Sequence, residues 1–282
     1  MKNIDFSSLP RDSKGQFLPI LVSGATGAIG REIFRALHEA EVPVVMACRS
    51  WKKAVDMLSG MNIPADSPGC EDAGFFSLFG DIYFLPVDLG SEESVRTAAA
   101  LLPADMKLGG LVNNAGVMNR EFHIGPDGRE DTLNVNYHNT KLFTELLLPH
   151  IAEGGAIVFT TSLTRYLRGH HNFPESISHE QFGQLSTYGL SKKLITVYAA
   201  SLSERLKPAG IKVNCADPGI VDSGMIRMHR WFDPLADVFF RPFIRRPAAG
   251  AVPALRALAA TSSGQIYCRR LTLPLPSWAY VK

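Results

Sequence analysis

The sequence predicts an α/β protein in which helices cover both faces of a doubly wound parallel sheet. Three observations support this prediction. Apolar runs that end in turn residues recur along the chain, segments with helical periodicity lie between them, and the tails of the runs are polar or rich in glycine. Alternating strands and helices build parallel sheets that are buried on both faces. Ligands bind such sheets beyond the carboxyl ends of the strands, which is where these tails fall.

Six apolar runs are the predicted strands. They are PILVSG from Pro19, VPVVMACR from Val42, IYFLPVD from Ile82, LGGLVNNAG from Leu108, GAIVFTTS from Gly155 and IKVNCADPG from Ile211. Helical periodicity is clearest over residues 29–40, 91–102, 133–148 and 188–206. We therefore expect a single Rossmann-type domain over residues 1–282.

Two segments interrupt this alternation. Residues 59–80, SGMNIPADSPGCEDAGFFSLFG, are rich in Gly, Pro and Ser and are interpreted as a surface insertion. Residues 227–246, RMHRWFDPLADVFFRPFIRR, combine aromatic side chains with arginines after the last predicted strand. We interpret residues 224–246 as a lid over the substrate site.

The composition excludes several classes of protein. A formal net charge of +2 gives no broad basic surface, so a nucleic-acid partner is not expected. The four cysteines form no C-x-x-C pair, and the histidines at 170, 171 and 179 lack neighbouring ligands with suitable spacing, so neither disulfides nor a metal site are expected. We find no leader-like start and no run approaching the ~20 apolar residues that cross a bilayer, so we expect a cytoplasmic protein, at most peripheral to a membrane.

The string SGATGAIG, from Ser23 to Gly30, lies between the first strand and the first helix. Its glycines would let the backbone approach the pyrophosphate of a dinucleotide at the helix N-terminus. A tight turn without a ligand is the alternative. The position after the first strand of an α/β alternation favours the dinucleotide.

The end of the second strand bears on the choice of cofactor. A carboxylate there binds the ribose 2′-hydroxyl of NAD, whereas a cation suits the 2′-phosphate of NADP. This chain has ACRSWKK, with Arg49 and no acidic neighbour. We therefore expect NADP(H) rather than NAD, with Arg49 forming a bidentate contact to the phosphate. A solvated arginine is the alternative.

Seven motifs in one order point to a family. After the glycine turn come PVDLG with Asp88, NNAG at Asn113–Gly116, VNYHNT with Asn136, TTS with Ser162, YGLSK with Tyr188 and Lys192, and DPGIVDS from Asp217 to Ser223. The chain thus resembles the short-chain dehydrogenase/reductase family over about residues 19–223. The long span between Ser162 and Tyr188 and the ACR string make it most similar to the retinol-dehydrogenase-like branch.

The resemblance implies a set of cofactor-binding residues. These are Gly24, Thr26, Gly27, Ile29 and Gly30 at the pyrophosphate; Asp88 and Leu89 at the adenine; Asn114, Ala115 and Gly116 at the adenosine ribose; Tyr188 and Lys192 beside the nicotinamide; and Pro218, Gly219, Val221 and Ser223 along its other side. It also suggests a homodimer or homotetramer.

The glycine turn departs from the family pattern at two positions. Ser23 replaces a threonine, and Ala28 stands where T-G-x-x-x-G-x-G has its middle glycine. GATGAIG satisfies G-x-x-G-x-x-G instead, the spacing of the longer epimerase-like branch. An epimerase or dehydratase is therefore an alternative function, although the C-terminal part is short for that branch. A non-catalytic regulatory protein that binds NADP(H) is another.

The pair Tyr188 and Lys192 predicts the chemistry. A ketone accepts hydride when its oxygen is protonated, and a free tyrosine with a pKa of ~10 needs a nearby cation to exchange that proton near neutrality. Residues four apart share a helix face, so Lys192 can supply the cation. By resemblance, Ser162 orients the substrate, with Thr160 and Thr161 as alternatives, and Asn136 positions a water, with Asn134 as its rival. Lys193 is expected to face solvent.

Apolar residues around these groups predict the substrate class. Val117, Met118, Leu163 and Tyr166 would line the pocket together with the aromatic and methionine side chains of the predicted lid. We therefore expect a small lipophilic alcohol or carbonyl compound, such as a steroid or retinoid. The lid aromatics could instead only pack on the core. The lid arginines suit either solvent or an anionic membrane surface.

Overall fold

The computed structural model describes residues 4–65, 74–167, 173–221 and 246–280. Within them a single sheet contains nine strands in the order β3-β4-β2-β1-β5-β6-β7-β8-β9. The strands are β1 (Ile20–Ser23), β2 (Val44–Cys48), β3 (Phe76–Phe79), β4 (Ile82–Pro86), β5 (Leu108–Asn113), β6 (Ile151–Thr160), β7 (Lys212–Ala216), β8 (Gln265–Tyr267) and β9 (Thr272–Pro274). The strands from β4 to β8 are parallel, and β3 and β9 close the two edges in antiparallel orientation.

The described helices are α1 (Ala28–Glu39), α2 (Trp51–Ser59), α3 (Glu92–Leu101), α4 (Asp131–Leu133), α5 (Asn139–Leu147), α6 (Gln184–Leu206) and α7 (Pro247–Leu258). A π-helical turn, Asn134–His138, joins α4 to α5. Short 3-10 turns lie between the longer elements, among them Leu163–Tyr166 after β6. None of the helices in the described parts of the chain has the length and apolarity that a bilayer span requires.

The sheet has a hydrophobic core on each face. Because successive side chains of a strand point to opposite faces, Ile20 and Val22 of β1 pack with α1, α2 and α7, whereas Leu21 packs with α3, α5 and α6. Both faces of the central strands are therefore buried, which explains why these strands are continuous apolar runs. The predicted doubly wound α/β fold is confirmed.

The order of the strands determines where a ligand can bind. Strand β1 has β2 on one side and β5 on the other, and the chain crosses to opposite sides of β1 to form them. Such a switch point opens a crevice at the carboxyl ends of the strands. Here the crevice lies between the glycine turn after β1 and the NNAG string after β5.

The structure differs from the sequence prediction at the sheet edges. Five of the predicted runs contain β1, β2, β4, β5 and β7, and the run from Gly155 overlaps β6, which begins four residues earlier at Ile151; the short strands β8 and β9 were not predicted. Strand β3 lies inside the segment that we interpreted as a surface insertion, where it pairs with β4. Residues 66–73 of that segment and residues 222–245, which hold nearly all of the predicted lid, lie outside the described residues.

Candidate active site

The turn after β1 is shaped by two glycines. Gly24 has φ +64°, and a Cβ there would lie 3.0 Å from the Cα of Ala115. A Cβ at Gly30 would overlap the Gly24 carbonyl oxygen and would lie 2.9 Å from the Asn114 side chain. The glycines therefore allow the first turn of α1 to lie directly against the ends of β1 and β5.

The start of α1 fits a phosphate group. Its N-cap is Gly27, and no side chain caps the helix. The first N–H groups of a helix have no partners within the helix and attract anions. The start of α1 can therefore bind a phosphate, although its first residue, Ala28, stands where the family has its middle glycine.

Ser23 and Asn114 hold this turn to the end of β5. The Ser23 hydroxyl accepts hydrogen bonds from the backbone N–H groups of Asn114 and Ala115, both at 3.1 Å. In return the Asn114 side chain donates to the Ser23 and Gly24 carbonyl groups. Replacing threonine by Ser23 therefore preserves the hydroxyl that the turn uses.

A cleft of about 310 Å³ lies over this turn, within the range of small-molecule sites. Ten of the predicted cofactor-binding residues line it: Gly24, Thr26, Gly27, Ile29, Arg49, Asp88, Leu89, Asn114, Ala115 and Gly116. Gly30 lies beneath the turn instead. The glycine cradle, the open helix start and this cleft together fit a dinucleotide.

The cleft also contains residues that the sequence prediction missed. Ser50 and Lys53 line it next to Arg49. Ser50 is the N-cap of α2 and accepts a hydrogen bond from the Lys53 backbone. The Arg49 guanidinium lies 4.0 Å from the Asp88 carboxylate, but both groups are exposed, so this pair constrains Arg49 little. The helix N-terminus and the second cation were signals in SWKK that could have been recognised.

The loop after β7 lies on the other side of the switch point. Gly219 has φ +71°, and its N–H donates to Asp217 Oδ1 at 3.0 Å. Val221 is buried, and its side chain fills the space where a Cβ of Gly250 in α7 would lie, close to Ile29. Val221 is thus brought toward the start of α1, Pro218 and Gly219 precede it in the same loop, and Ser223 lies outside the described residues.

Tyr188 and Lys192 lie one turn apart in α6. The helix begins at Gln184, so Tyr188 follows a full turn and is not at its start. The Lys192 ammonium donates to the Thr160 carbonyl at 3.0 Å and lies 5.5 Å from the centre of the Tyr188 ring. A Cβ at Gly116 would be only 3.3 Å from this ammonium. The lysine therefore connects α6 with the wall of the cleft.

Burial changes the acidity of both groups. It lowers the pKa of Lys192 to about 8, although the negative charge of Asp217 opposes the shift. It raises the pKa of the Tyr188 phenol well above its usual value, and the Asp217 charge adds to the rise. Without a bound ligand, the phenol is therefore held in its protonated form, which is the form that can donate to a carbonyl oxygen.

Ser162 begins the 3-10 turn Leu163–Tyr166 that follows β6, and its hydroxyl accepts from the Thr164 N–H at 3.3 Å. This turn packs on α6 at Gly189, where a Cβ would lie 2.5 Å from the Thr164 carbonyl oxygen. Thr161 is instead buried against Thr196 and the Lys192 carbonyl. The half-buried Ser162 is therefore the more accessible of the two hydroxyls.

Asn136 lies in the π-helical turn and reaches two elements. Its side chain donates to the Val117 carbonyl and to the Ser191 hydroxyl, and it accepts from the Val117 N–H. Ser191 in turn donates to the Tyr188 carbonyl. The rival Asn134 instead bonds to Gly90 and Asp127. Asn136 therefore connects the end of the NNAG string with the helix that carries Tyr188.

One prediction in this helix is wrong. Lys193 does not face solvent; it is fully buried, with its ammonium 4.8 Å from the centre of the Phe173 ring and 5.1 Å from that of Trp278. The C-terminal segment that contains Trp278 packs on α6 and covers this position, which the helix sequence alone does not reveal. Among the described residues, no group of three or more His, Cys, Asp or Glu side chains could hold a metal ion.

The chain is similar to known oxidoreductases. Polyprenol dehydrogenase of Mus musculus is 30% identical over 277 residues, which cover 91% of this chain and 79% of that protein. Retinol dehydrogenase 14 of Mus musculus is 28% identical over 239 residues, or 82% and 70% of the two chains. A short-chain dehydrogenase/reductase structure from Serratia marcescens superposes with a TM-score of 0.67 at 20% identity and covers 90% of this chain and 96% of its own.

The family described as short chain dehydrogenase matches residues 19–231, well over half of the sequence. This span includes the glycine turn, the NNAG string, the Ser162 turn and the Tyr188 helix. The expected resemblance is confirmed: this chain belongs to the short-chain dehydrogenase family of oxidoreductases.

Proposed function

We propose that the protein is an NADP(H)-dependent oxidoreductase that interconverts a lipophilic alcohol and its carbonyl compound. One observation carries the proposal. The Lys192 ammonium lies close to both the Tyr188 ring and Gly116, and Gly116 lines the dinucleotide cleft. A proton donor and a cation thus stand at the end of a cleft that fits a nicotinamide dinucleotide.

The residues of the chain have separate tasks in this reaction. When bound, the nicotinamide supplies or accepts the hydride. Tyr188 donates its phenolic proton to the carbonyl oxygen as negative charge develops there, and Ser162 offers a second hydrogen bond. Lys192 favours the phenolate that remains, since an adjacent positive charge lowers the pKa of a phenol. Asn136 holds the turn of α6 that carries Tyr188 through Ser191.

The preference for NADP(H) is supported by the charges at the adenosine end of the cleft. Arg49 and Lys53 are cations, and Ser50 adds a hydroxyl at the N-terminus of α2. A 2′-phosphate would gain charge-assisted hydrogen bonds from this group, whereas a free 2′-hydroxyl would not. Asp88 is the nearby carboxylate, but it follows β4 and not β2.

A lipophilic substrate is supported by apolar side chains that are exposed around the site. Leu163 and Tyr166 lie in the Ser162 turn, Leu185 precedes Tyr188, and Ile220 follows Gly219; all four are at least 40% exposed. Where exposed apolar side chains form a patch, they mark a binding surface. The relatives named above are dehydrogenases of polyprenol and retinol, both of them lipophilic alcohols.

The proposal is tested by incubating the protein with NADPH and a panel of hydrophobic ketones and aldehydes, with the loss of NADPH absorbance and the alcohol products followed together. We expect equal amounts of NADP⁺ and alcohol from at least one lipophilic carbonyl compound. A regulatory protein would bind NADPH without consuming it, and an epimerase would convert its substrate without net consumption. Either result would overturn the proposal.

A further inference from the structure

The candidate active site contains a buried ion pair that the chemistry above does not use. The Arg165 guanidinium donates to Asp217 Oδ2 at 2.6 Å, and the two side chains are 1% and 3% exposed. Burial disfavours a charged guanidinium, but the hydrogen bond and charge of Asp217 raise the pKa of Arg165 above its usual value. The Arg165 guanidinium is therefore charged, and it is held in place by Asp217.

The pair joins two loops that carry different parts of the reaction. Arg165 lies in the 3-10 turn that begins at Ser162, and its backbone N–H donates to the Ser162 carbonyl at 3.1 Å. Asp217 follows β7, and its second oxygen accepts from the Gly219 N–H at 3.0 Å. One carboxylate therefore holds the turn beside the substrate oxygen and also the loop that faces the nicotinamide.

We propose that Arg165 and Asp217 are positioning residues. They fix the Ser162 turn relative to the loop Pro218–Val221 and so hold both loops in the geometry that hydride transfer requires. The inference rests on the proposed function. Hydride transfer requires the donor and acceptor carbons to approach closely, so two loops that moved independently would lower the rate without weakening binding at the adenosine end.

The pair also keeps charge near Tyr188 in balance. The Asp217 carboxylate acts on the Tyr188 phenol, and its effect is to raise the pKa of that group. Arg165 supplies the opposite charge next to the carboxylate. Removing either partner alone would leave an uncompensated buried charge near the phenol, and the two removals would leave charges of opposite sign.

This opposition gives a sharp test. Asp217→Asn preserves the size of the side chain and an oxygen for the Gly219 N–H, whereas Arg165→Met keeps an unbranched apolar side chain and removes the guanidinium with its contacts to Asp217 and Tyr166. We measure kcat, KM for the carbonyl substrate, the Kd of NADPH and the pH profile of kcat for carbonyl reduction in both variants and in the double variant. All three variants should lose about 10- to 100-fold in kcat, with little change in the Kd of NADPH.

The pH profiles should move in opposite directions. In Arg165→Met the unpaired carboxylate raises the pKa of the phenol, so the alkaline limb of kcat shifts to higher pH; in Asp217→Asn the unpaired guanidinium shifts it to lower pH. The double variant should show the parent limb at reduced kcat. If a single variant fails to fold, the double variant alone provides the test, because it buries no unpaired charge.

A matched control removes another ion-paired arginine. Arg205→Met breaks the 2.8 Å pair with Glu145 between α6 and α5 and should leave kcat and its pH profile unchanged. Parent-like kcat in the double variant, or limbs that fail to move apart in two folded single variants, would overturn the inference while the proposed function stands. A wild-type protein that consumes no NADPH with any carbonyl compound refutes the proposed function and this inference with it.

Discussion

The ammonium group of Lys192 lies 5.5 Å from the centre of the Tyr188 ring and is fixed there by a 3.0 Å hydrogen bond to the Thr160 carbonyl. The lysine is 3% exposed, so its charge acts through protein and not through bulk water. The arrangement places the Lys192 ammonium beside the Tyr188 phenol at the edge of the dinucleotide cleft. The effect of this arrangement on stability and its effect on catalysis can be measured separately.

The buried charge of Lys192 should appear in the pH dependence of stability. Its pKa is lowered to about 8, so between about pH 8 and pH 10 the unfolded chain binds a proton that the folded protein has lost. The free energy of unfolding of the wild type should therefore rise over this range relative to Lys192→Met, whose side chain does not titrate. Urea unfolding of both proteins across this range measures the difference. Parallel curves would show that the lysine titrates normally.

A side chain at Gly189 should lower both stability and kcat. Alanine at this position would press against the Thr164 carbonyl, 2.5 Å from its Cβ, and push the Ser162 turn away from α6. We expect Gly189→Ala to cost about 1–3 kcal/mol of unfolding free energy and to lower kcat more than it raises the Kd of NADPH. Thermal unfolding and steady-state kinetics measure these effects. Gly60→Ala at the end of α2 is the control, since its closest contact is an ordinary 3.4 Å. Equal effects of both substitutions would contradict the packing argument.

Substitutions of the two asparagines in the π-helical turn should have different effects on kcat and on stability. Asn136→Ala removes the bonds to Val117 and Ser191 and should lower kcat by about 10-fold or more, because the turn of α6 that carries Tyr188 loses its support. Asn134→Ala removes the bonds to Gly90 and Asp127 and should lower stability with little effect on kcat. Kinetics corrected for the folded fraction compare the two. A larger loss of kcat in Asn134→Ala would reverse their assignment.

The adenosine end of the cleft should distinguish the two nicotinamide cofactors. Arg49→Ala and Lys53→Ala should each weaken NADPH binding while leaving NADH binding nearly unchanged, because only NADPH carries the 2′-phosphate. The Kd values of both cofactors, obtained by fluorescence titration, measure the effect. Lys52→Ala is the matched control, since the neighbouring Lys52 is exposed and does not line the cleft. Equal losses for NADPH and NADH would remove the assignment to NADP(H).

The sequence predicted the parts of the fold whose signal is local. Strands such as β1 and β5 are buried on both faces, so each appears as an unbroken apolar run with a turn behind it. The edge strand β3 alternates half-buried Phe76 and buried Leu78 with exposed side chains, and β9 is exposed throughout, so neither produces such a run. Each of these strands forms by pairing with a neighbouring strand. Strand β3 pairs with β4 across a tight turn, and β9 pairs with β8 across the loop that joins them.

The candidate site shows the same division. Tyr188 and Lys192 are four residues apart and could be recognised from their spacing on one helix face. Arg165 and Asp217 are 52 residues apart, and although Asp217 begins the DPGIVDS motif, nothing in the sequence pairs it with Arg165. Only the adjacency of β6 and β7 in the sheet brings them together. Lys193 was predicted wrongly for a related reason, because Phe173 and Trp278 reach it from distant segments.

The central claim is that the Tyr188 phenol gives its proton to a carbonyl oxygen while the nicotinamide supplies the hydride. Its most direct test compares the wild type with Tyr188→Phe, using NADPH deuterated at the transferring carbon and mass analysis of the alcohol. The wild type should place deuterium on the carbinol carbon, and Tyr188→Phe should lower kcat by about 10²-fold or more while still binding NADPH. A Tyr188→Phe variant that forms deuterated alcohol as fast as the wild type would contradict the claim.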